Sequence, residues 1–187
     1  MLIARTPFRL SFFGGGTDFP AWFQDEPGSV LSTTIDKYTY ITCRYLPPFF
    51  THKHRIAYSK VENVSSTDNI EHPAIRAALK DLCIDDGVEI HCDADLPARS
   101  GIGSSSCFSV GLYHALTALQ QQRVSKKWLA ERAIRLERTI LNEAGGWQDQ
   151  IASAYGGLNH IIFLPDNSFR VNPLIVGSDR RASLQEH

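Results

Sequence analysis

The 187-residue chain contains no apolar run long enough to span a bilayer, which excludes a membrane-crossing helix from the reading. Its first residues, Met-Leu-Ile-Ala-Arg-Thr-Pro, carry no apolar signal core, so the expected compartment is the cytoplasm. Neither sign of charge is in excess. Nineteen Lys and Arg against 20 Asp and Glu leave a formal net charge of -1, so no nucleic acid and no membrane surface is expected as a partner. The four cysteines, Cys43, Cys83, Cys92 and Cys107, form no Cys-x-x-Cys, and neither disulfide nor metal spacing is present. Three of them fall in apolar patterns, where a thiol packs as a small hydrophobe. Two nucleotide signatures are missing as well. No Gly-x-x-x-x-Gly-Lys-Ser/Thr occurs, and Gly14-x-Gly16 is followed by Phe19 where a dinucleotide fingerprint needs its third glycine. Internal repeats and low-complexity tracts are also lacking. What is left is ordinary globular composition, 43% apolar and 21% charged, long enough for one domain with a real core.

Within that chain one stretch stands out: Asp95-Leu96-Pro97-Ala98-Arg99-Ser100-Gly101-Ile102-Gly103-Ser104-Ser105-Ser106. Val88 to Cys92 alternates like a strand before it. Phe108, Leu112, Ala115, Leu116 and Leu119 recur at helical spacing after it. A Gly/Ser loop between a strand and a helix start leaves orphan amides and a helix dipole pointing at whatever sits there, and a phosphate suits both. The same residues also suit a flexible connector with an N-cap serine.

Taken in order, Leu2 to Phe13 reads as one or two strands broken near Pro7, followed by Gly14-Gly15-Gly16-Thr17-Asp18. These glycines permit a close backbone approach or a simple bulge. Pro20 to Asp25 suits a short helical turn. Val30 to Ile35 and Tyr38 to Leu46 read as strands, the second stopped by Pro47-Pro48, with Arg55 to Ser59 returning as its hairpin partner. The intervening loop carries His52, Lys53, His54 and Arg55, which suits a solvated tip or a ligand contact. Pro73 opens a helix with the stripe Ile75, Ala78, Leu79 and Leu82. Ser125 caps another, with the stripe Leu129, Ala133, Leu136 and Ile140 and with Glu137 beside it, ended by Gly145-Gly146. Asp149 then starts a short helix, and Leu158 to Leu164 and Phe169 to Val176 form a strand pair around Pro165-Asp166-Asn167.

Arg9 and Asp18 flanking a triple glycine, Pro97-x-x-x-Gly101-Ile102-Gly103-Ser104-Ser105-Ser106, Glu137 on a helix and Gly-x-x-Asp149 together resemble the galactose/homoserine/mevalonate/phosphomevalonate (GHMP) kinase superfamily. Its Pro-x-x-x-Gly-Leu-Gly-Ser-Ser motif is matched with only Ile102 in place of leucine. Within it the chain most resembles bacterial D-glycero-D-manno-heptose 7-phosphate kinases, through Arg5 to Arg9, Phe12 to Asp18, Ser32 to Tyr38 and Asp95 to Gly101.

The resemblance implies an α+β fold, the N-terminal domain of these kinases, with a left-handed βαβ crossover against the usual right-handed rule. It implies ATP and Mg²⁺ as cofactors and a small-molecule sugar phosphate as partner. Pro97, Arg99, Ser100, Gly101, Ile102, Gly103, Ser104, Ser105 and Ser106 would hold the ATP. Ser105 and Glu137 would hold Mg²⁺. Asp149 would take or orient the proton of the attacking hydroxyl, and Arg9 would stabilise the transferring phosphoryl group. Gly15, Gly16, Thr17 and Asp18 would meet the sugar. Arg99, with Lys53 and Arg55, would meet its distal phosphate. Taken singly, Asp149 also suits a helix cap, Arg9 a surface ion pair and Glu137 a solvated face. Trp147 and Cys107 depart from the family pattern, and a large indole two residues before Asp149 is expected to reshape the sugar pocket. The family's third, glycine-rich motif belongs to a C-terminal domain. Residues 1–175 are therefore expected to be the ATP-binding domain, 176–187 the start of a linker onward, and the chain to self-associate through exposed apolar surface.

Overall fold

An 18-residue strand is the spine of the molecule, and it comes third in chain order. β1 (Leu2–Phe13) leads through the triple glycine to a helical turn, α1 (Pro20–Phe23), and then to that strand, β2 (Gly28–Tyr45). The computed structural model describes residues 1–97 and 101–177. Two four-residue strands follow, β3 (His54–Ala57) and β4 (Val61–Val64), then α2 (Pro73–Asp81) and β5 (Val88–Ala94). α3 (Ser104–Leu119) leaves the Gly/Ser loop. α4 (Lys126–Ile134) runs on into a π-helical turn over Arg135–Ile140, and α5 (Gln148–Tyr155), β6 (Asn159–Phe163) and β7 (Phe169–Pro173) complete the described chain.

One seven-stranded sheet holds these strands in the order β4-β3-β5-β2-β6-β7, with β1 also paired to β2. β2 pairs with β1 from Leu31 to Cys43, with β5 from Thr39 to Tyr45 and with β6 from Gly28 to Ser32, all antiparallel, while β3 and β5 run parallel. The two strands read at Val30–Ile35 and Tyr38–Leu46 are thus a single strand. Pro7 opposes Tyr38 and Arg9 opposes Thr34, so β2 advances four residues where β1 advances two. The excess is absorbed as a bulge, a device that re-aims side chains, and it falls beside Arg9.

The hairpin read between Tyr38–Leu46 and Arg55–Ser59 is also corrected. β3 pairs antiparallel with β4, and β5 lies between β3 and β2. A four-residue strand such as β4 gives too short a pattern to compete for β3 on paper. His54, read into an exposed loop, is fully buried in β3, where its Nδ1 accepts from the Val88 amide at 3.3 Å and its Nε2 meets Thr67 Oγ1 at 3.0 Å.

α3 is buried on almost every side, as an apolar helix in the middle of a fold must be. It packs on β1 and β2 and against α2, α4 and α5. Gly111 makes the helix–sheet approach possible, since a Cβ there would meet Thr6 Oγ1 at 2.8 Å and Ile41 Cγ1 at 3.3 Å. The main core, including Ile41, Ile56, Ile75, Leu79, Ile90, Leu112 and Leu116, lies between the sheet and α2 to α4. A second cluster gathers Phe23, Val30, Ala130, Ile134, Ile151, Ile161 and Phe163 around α5. At roughly 1.5–3 kcal/mol per large apolar side chain buried, these two clusters fix the relative places of β1, α3 and α5, on which the site depends.

Candidate active site

The Gly/Ser loop is built as its residues require. Gly101 (φ +75°) and Gly103 (φ +77°) both adopt the left-handed conformation, and Gly103 is the N-cap of α3. Ser104, Ser105 and Ser106 form the helix's first turn, whose amides have no partner within the helix. Ser104 is half-buried, Ser105 exposed and Ser106 buried. Ala98, Arg99 and Ser100 lie outside the described residues, so the roles expected of Arg99 and Ser100 have no geometry here.

Beneath this loop sits Arg9. Its amide donates to the Ile102 carbonyl at 3.3 Å and its Nη1 to the Gly101 carbonyl at 3.1 Å. Its Nε donates to Asp149 Oδ1 at 2.7 Å, with side-chain exposures of 13% for Arg9 and 24% for Asp149. A Cβ on Gly103 would stand 3.2 Å from Arg9 Cγ and 3.4 Å from Asp149 Oδ2. Loop, guanidinium and carboxylate are therefore in contact. Asp149 is not the cap of α5: the N-cap residue is Trp147, and Asp149 follows in the first turn with its carboxylate turned to Arg9.

Glu137 is 1% exposed, in the π-turn that ends α4. Its Oε2 accepts from Ser106 Oγ at 2.9 Å and from Gln150 Nε2 at 2.7 Å, with Arg138 Nη2 3.4 Å away, while its Oε1 is buried without a partner. Burial pushes its carboxyl above the usual range, against the pull of the Ser109, Ser106, Arg138 and Gln150 donors. The hydroxyl bonded to Glu137 is that of Ser106, while Ser105, expected with Glu137 on Mg²⁺, lines the same cleft. Successive helix residues are about 100° apart, and the turn that buries Ser106 leaves Ser105 outward. The π-turn also explains why Ile140, expected on the buried stripe, is 39% exposed, since a wider turn shifts the helical phase. The helix ends there rather than at Gly145-Gly146.

The triple-glycine segment is held tightly. Thr17 Oγ1 donates to the Gly14 carbonyl at 2.8 Å and accepts from the Ser29 amide at 3.0 Å. Gly15 and Gly16 are exposed. Asp18, expected to meet a sugar, is 1% exposed instead, and its carboxylate accepts from the amides of Gly16 at 3.0 Å and Gln148 at 3.1 Å and from Gln148 Nε2 at 3.2 Å. These contacts tie Asp18 to the glycine turn and to the start of α5. The Trp147 indole packs edge-on against Phe23, ring centres 4.8 Å apart, within the second core. Lys53 and Arg55 are not brought to the site: Lys53 lines a separate cleft beside Pro47 and Pro48, and Arg55 pairs with Glu89 at 3.3 Å.

A cleft of about 670 Å³ joins Arg9, Gly103, Ser104 to Ser106, Glu137 and Asp149, and its apolar part is formed by Pro73, Phe108 and Leu141. Sequence reasoning passed over Arg138, which lines it too. Arg138 Nε donates to the Gly146 carbonyl at 3.2 Å and Nη1 to those of Glu143 at 3.2 Å and Ala144 at 2.9 Å. The only signal for it was the pair of glycines, for Gly145 (φ +148°) lies against that guanidinium. Gln148 and Ser11, hydrogen-bonded to each other, were also missed. Burial raises the thiols of Cys43 to about 11 and Cys92 to about 12, so neither is poised to react, while Cys83 is exposed. Among the described residues no three His, Cys, Asp or Glu side chains cluster as a metal site, and no helix is long and apolar enough to cross a membrane.

Known proteins resemble this chain in sequence and fold. The D-glycero-alpha-D-manno-heptose 7-phosphate kinase of Campylobacter jejuni is 29% identical over 179 residues, covering 91% of this chain and 53% of that protein. A galactokinase of Chloroflexus aggregans is 26% identical over 188 residues, covering 94% of this chain and 46% of that protein. The chain thus spans about half the length of these two relatives. Among solved structures, a D-glycero-D-manno-heptose 1-phosphate kinase from Bacteriodes thetaiotaomicron superposes with a TM-score of 0.85 at 27% identity, over 95% of this chain and 61% of that one. Residues 69–157 match the family described as GHMP kinases N terminal domain.

Proposed function

We propose that this chain is the nucleotide-binding half of an ATP-dependent sugar kinase that transfers the γ-phosphate to the anomeric hydroxyl of D-glycero-D-manno-heptose 7-phosphate. The observation that carries the proposal is the Arg9–Asp149 pair at 2.7 Å, lodged under a loop of left-handed glycines that opens a helix. Phosphoryl transfer asks for positioning and charge rather than covalent chemistry. Backbone amides at the start of α3 receive the phosphates. Arg9 supplies positive charge beside the transferring group, and Asp149 accepts or orients the proton of the sugar hydroxyl. The apolar part of the cleft, at Pro73, Phe108 and Leu141, suits a flat base.

Mg²⁺ fits the donor set. Glu137 Oε1 is an orphaned carboxylate oxygen in the same cleft as the serine hydroxyls, and a hard cation takes oxygen ligands, few of them from protein when phosphates supply the rest. Glu137 with Ser106 or Ser105 would hold it. When bound, the ion neutralises charge on the phosphate oxygens. Residues 1–175 form the ATP-binding domain in this reading, and 176–187, of which 178–187 lie outside the described residues, lead onward to a second domain.

The heptose 7-phosphate assignment rests on the relative at 29% identity, and the galactokinase relative supports the second reading, another sugar-1-kinase. Incubation with Mg-ATP and a panel of heptose 7-phosphate, galactose, fucose and mannose tests both. The expected result is an acid-labile anomeric phosphate on the heptose 7-phosphate alone. Preferred turnover of a free hexose replaces the first reading by the second. ATP binding without turnover of any sugar reduces the chain to a nucleotide-binding fragment.

A further inference from the structure

We infer that Arg138 is a positioning residue: its guanidinium holds the loop that joins Glu137 to Asp149, and so sets where the Asp149 carboxylate stands. This deepens the kinase reading above and rests on it. Between the π-turn and α5 the chain crosses residues 141–147 without helix or strand. Asn142 (φ +53°) and Gly145 (φ +148°) both have positive φ, so the path is an irregular one. At its start the Leu141 amide donates to the Leu136 carbonyl at 2.9 Å and the Glu143 amide to the Glu137 carbonyl at 2.8 Å. Three carbonyls of the same loop then converge on one side chain. Arg138 Nη1 takes those of Glu143 at 3.2 Å and Ala144 at 2.9 Å, and Nε takes that of Gly146 at 3.2 Å. The remaining nitrogen, Nη2, lies 3.4 Å from Glu137 Oε2.

The slot for this guanidinium exists because residue 145 is glycine. A Cβ there would stand 2.7 Å from Nη2 and 2.8 Å from Cζ and Nη1. The Arg138 side chain is 18% exposed, so most of it is enclosed by the loop it holds. A planar fork with donors at fixed angles can serve three carbonyls and a carboxylate together, whereas an ammonium acts as a point charge. Glu137 stands at one end of the loop and Asp149 just past the other. Gly146 is three residues before Asp149, so the bond to its carbonyl fixes the chain as it enters α5. The Arg9–Asp149 pair at 2.7 Å leaves little room for drift there. Arg138 lines the cleft, yet its Nε and Nη1 protons are engaged by main-chain carbonyls, which suits holding the wall in place.

The test is Arg138→Lys in the full chain, which keeps the charge and loses the fork. Hydrogen exchange at the Glu143 and Trp147 amides should quicken about tenfold, the scale of one or two hydrogen bonds lost. The kcat should fall about 10²-fold, the scale of a misplacement near 1 Å, while the KM for sugar phosphate and the affinity for nucleotide hold. In an Asp149→Asn background the same change should cost no further turnover, because the group being positioned has lost its role. Added ethylguanidinium should restore part of the turnover of Arg138→Ala, and ethylammonium should not. Gly145→Ala, which displaces the guanidinium but leaves Arg138 in the chain, should give the same signature if the Arg138 variants do not fold. Near-normal kcat in Arg138→Lys, weakened nucleotide binding with kcat kept, additive losses in the double variant, equal rescue by the ammonium, or unchanged exchange at Glu143 and Trp147 each overturn the inference. The exchange measurement needs no substrate. An unaltered protein without turnover therefore overturns the kinase reading, while the exchange result still decides whether Arg138 holds the loop.

Discussion

Gly103 serves two ends that no other residue type meets together. Its φ of +77° belongs to the left-handed region, and the space beside its Cα is bounded by Arg9 Cγ at 3.2 Å and Asp149 Oδ2 at 3.4 Å from where a Cβ would lie. Gly103→Val forces a β-branched side chain into that backbone, at about 1–3 kcal/mol of strain, and drives it toward the ion pair. α3 is anchored by its buried length and the fold should survive. Calorimetry should then find no measurable ATP binding to a folded variant, and wild-type affinity would remove the loop from the nucleotide site. Asp149 is a separate case. Asp149→Asn keeps size and helix position but loses the proton acceptor, so turnover should fall roughly 10²–10⁴-fold with nucleotide affinity kept. Near-normal turnover would leave Asp149 only its tie to Arg9.

At the scale of elements, β3 and α2 carry a pH dependence. His54 is fully buried, and the Val88 amide donating to Nδ1 leaves the ring proton on Nε2, toward Thr67. Burial, then the nearby Lys53, lowers its pKa; burial also lowers that of His72, the N-cap of α2, against an opposing pull from Glu62. Both folded values lie below the unfolded value of about 6.5, so the unfolded chain binds more protons as pH falls through that region. Stability is therefore full above about pH 6.5 and declines below it. Urea denaturation between about pH 7.5 and 5 should show the decline, with a flatter profile for His54→Gln, whose amide does not titrate. An identical profile would free His54 of the effect. The same elements show what the sequence could and could not tell. The loop and the helix starts at Pro73 and Ser125 were legible because residue identity carries them; Arg9 and Asp149 were each singled out through the family resemblance, but their contact with each other was not read. The burial of His54 and Asp18 was not, because each depends on partners brought from 34 and 130 residues away. Nor was the hydrogen bond of Ser106 to Glu137, nor the exposure of Ile140, since both follow from helical phase, which a π-turn alters without a mark in the pattern.

Across the whole molecule, apolar side chains are unevenly covered. Two cores hold α3 and α5 against the sheet, yet β1 ends in Phe12 and Phe13, 53% and 72% exposed, and the chain beyond β7 places Leu174 and Ile175 outward at 44% and 98%. Phe12, Leu174 and Ile175 line one cleft together with Ile35 and Leu158, so these three exposures adjoin one another and are not scattered singles. Single exposed hydrophobes are common and inert, whereas a contiguous patch tends to find a partner. Net charge of -1 offers little repulsion to oppose this. We expect the 187-residue chain to self-associate in solution, with light scattering giving a mass above its 20.9 kDa and rising with concentration. Phe12→Asp with Ile175→Asp places charge in the patch without touching Arg9, Glu137 or Asp149, so the mass should fall toward the monomer while nucleotide affinity holds. A monomer in the unaltered chain at every concentration would show that this surface is tolerated by water on its own. Loss of nucleotide binding in the double variant would show instead that the patch and the cleft are one structural unit, coupled through β1, the strand that carries both Phe12 and Arg9.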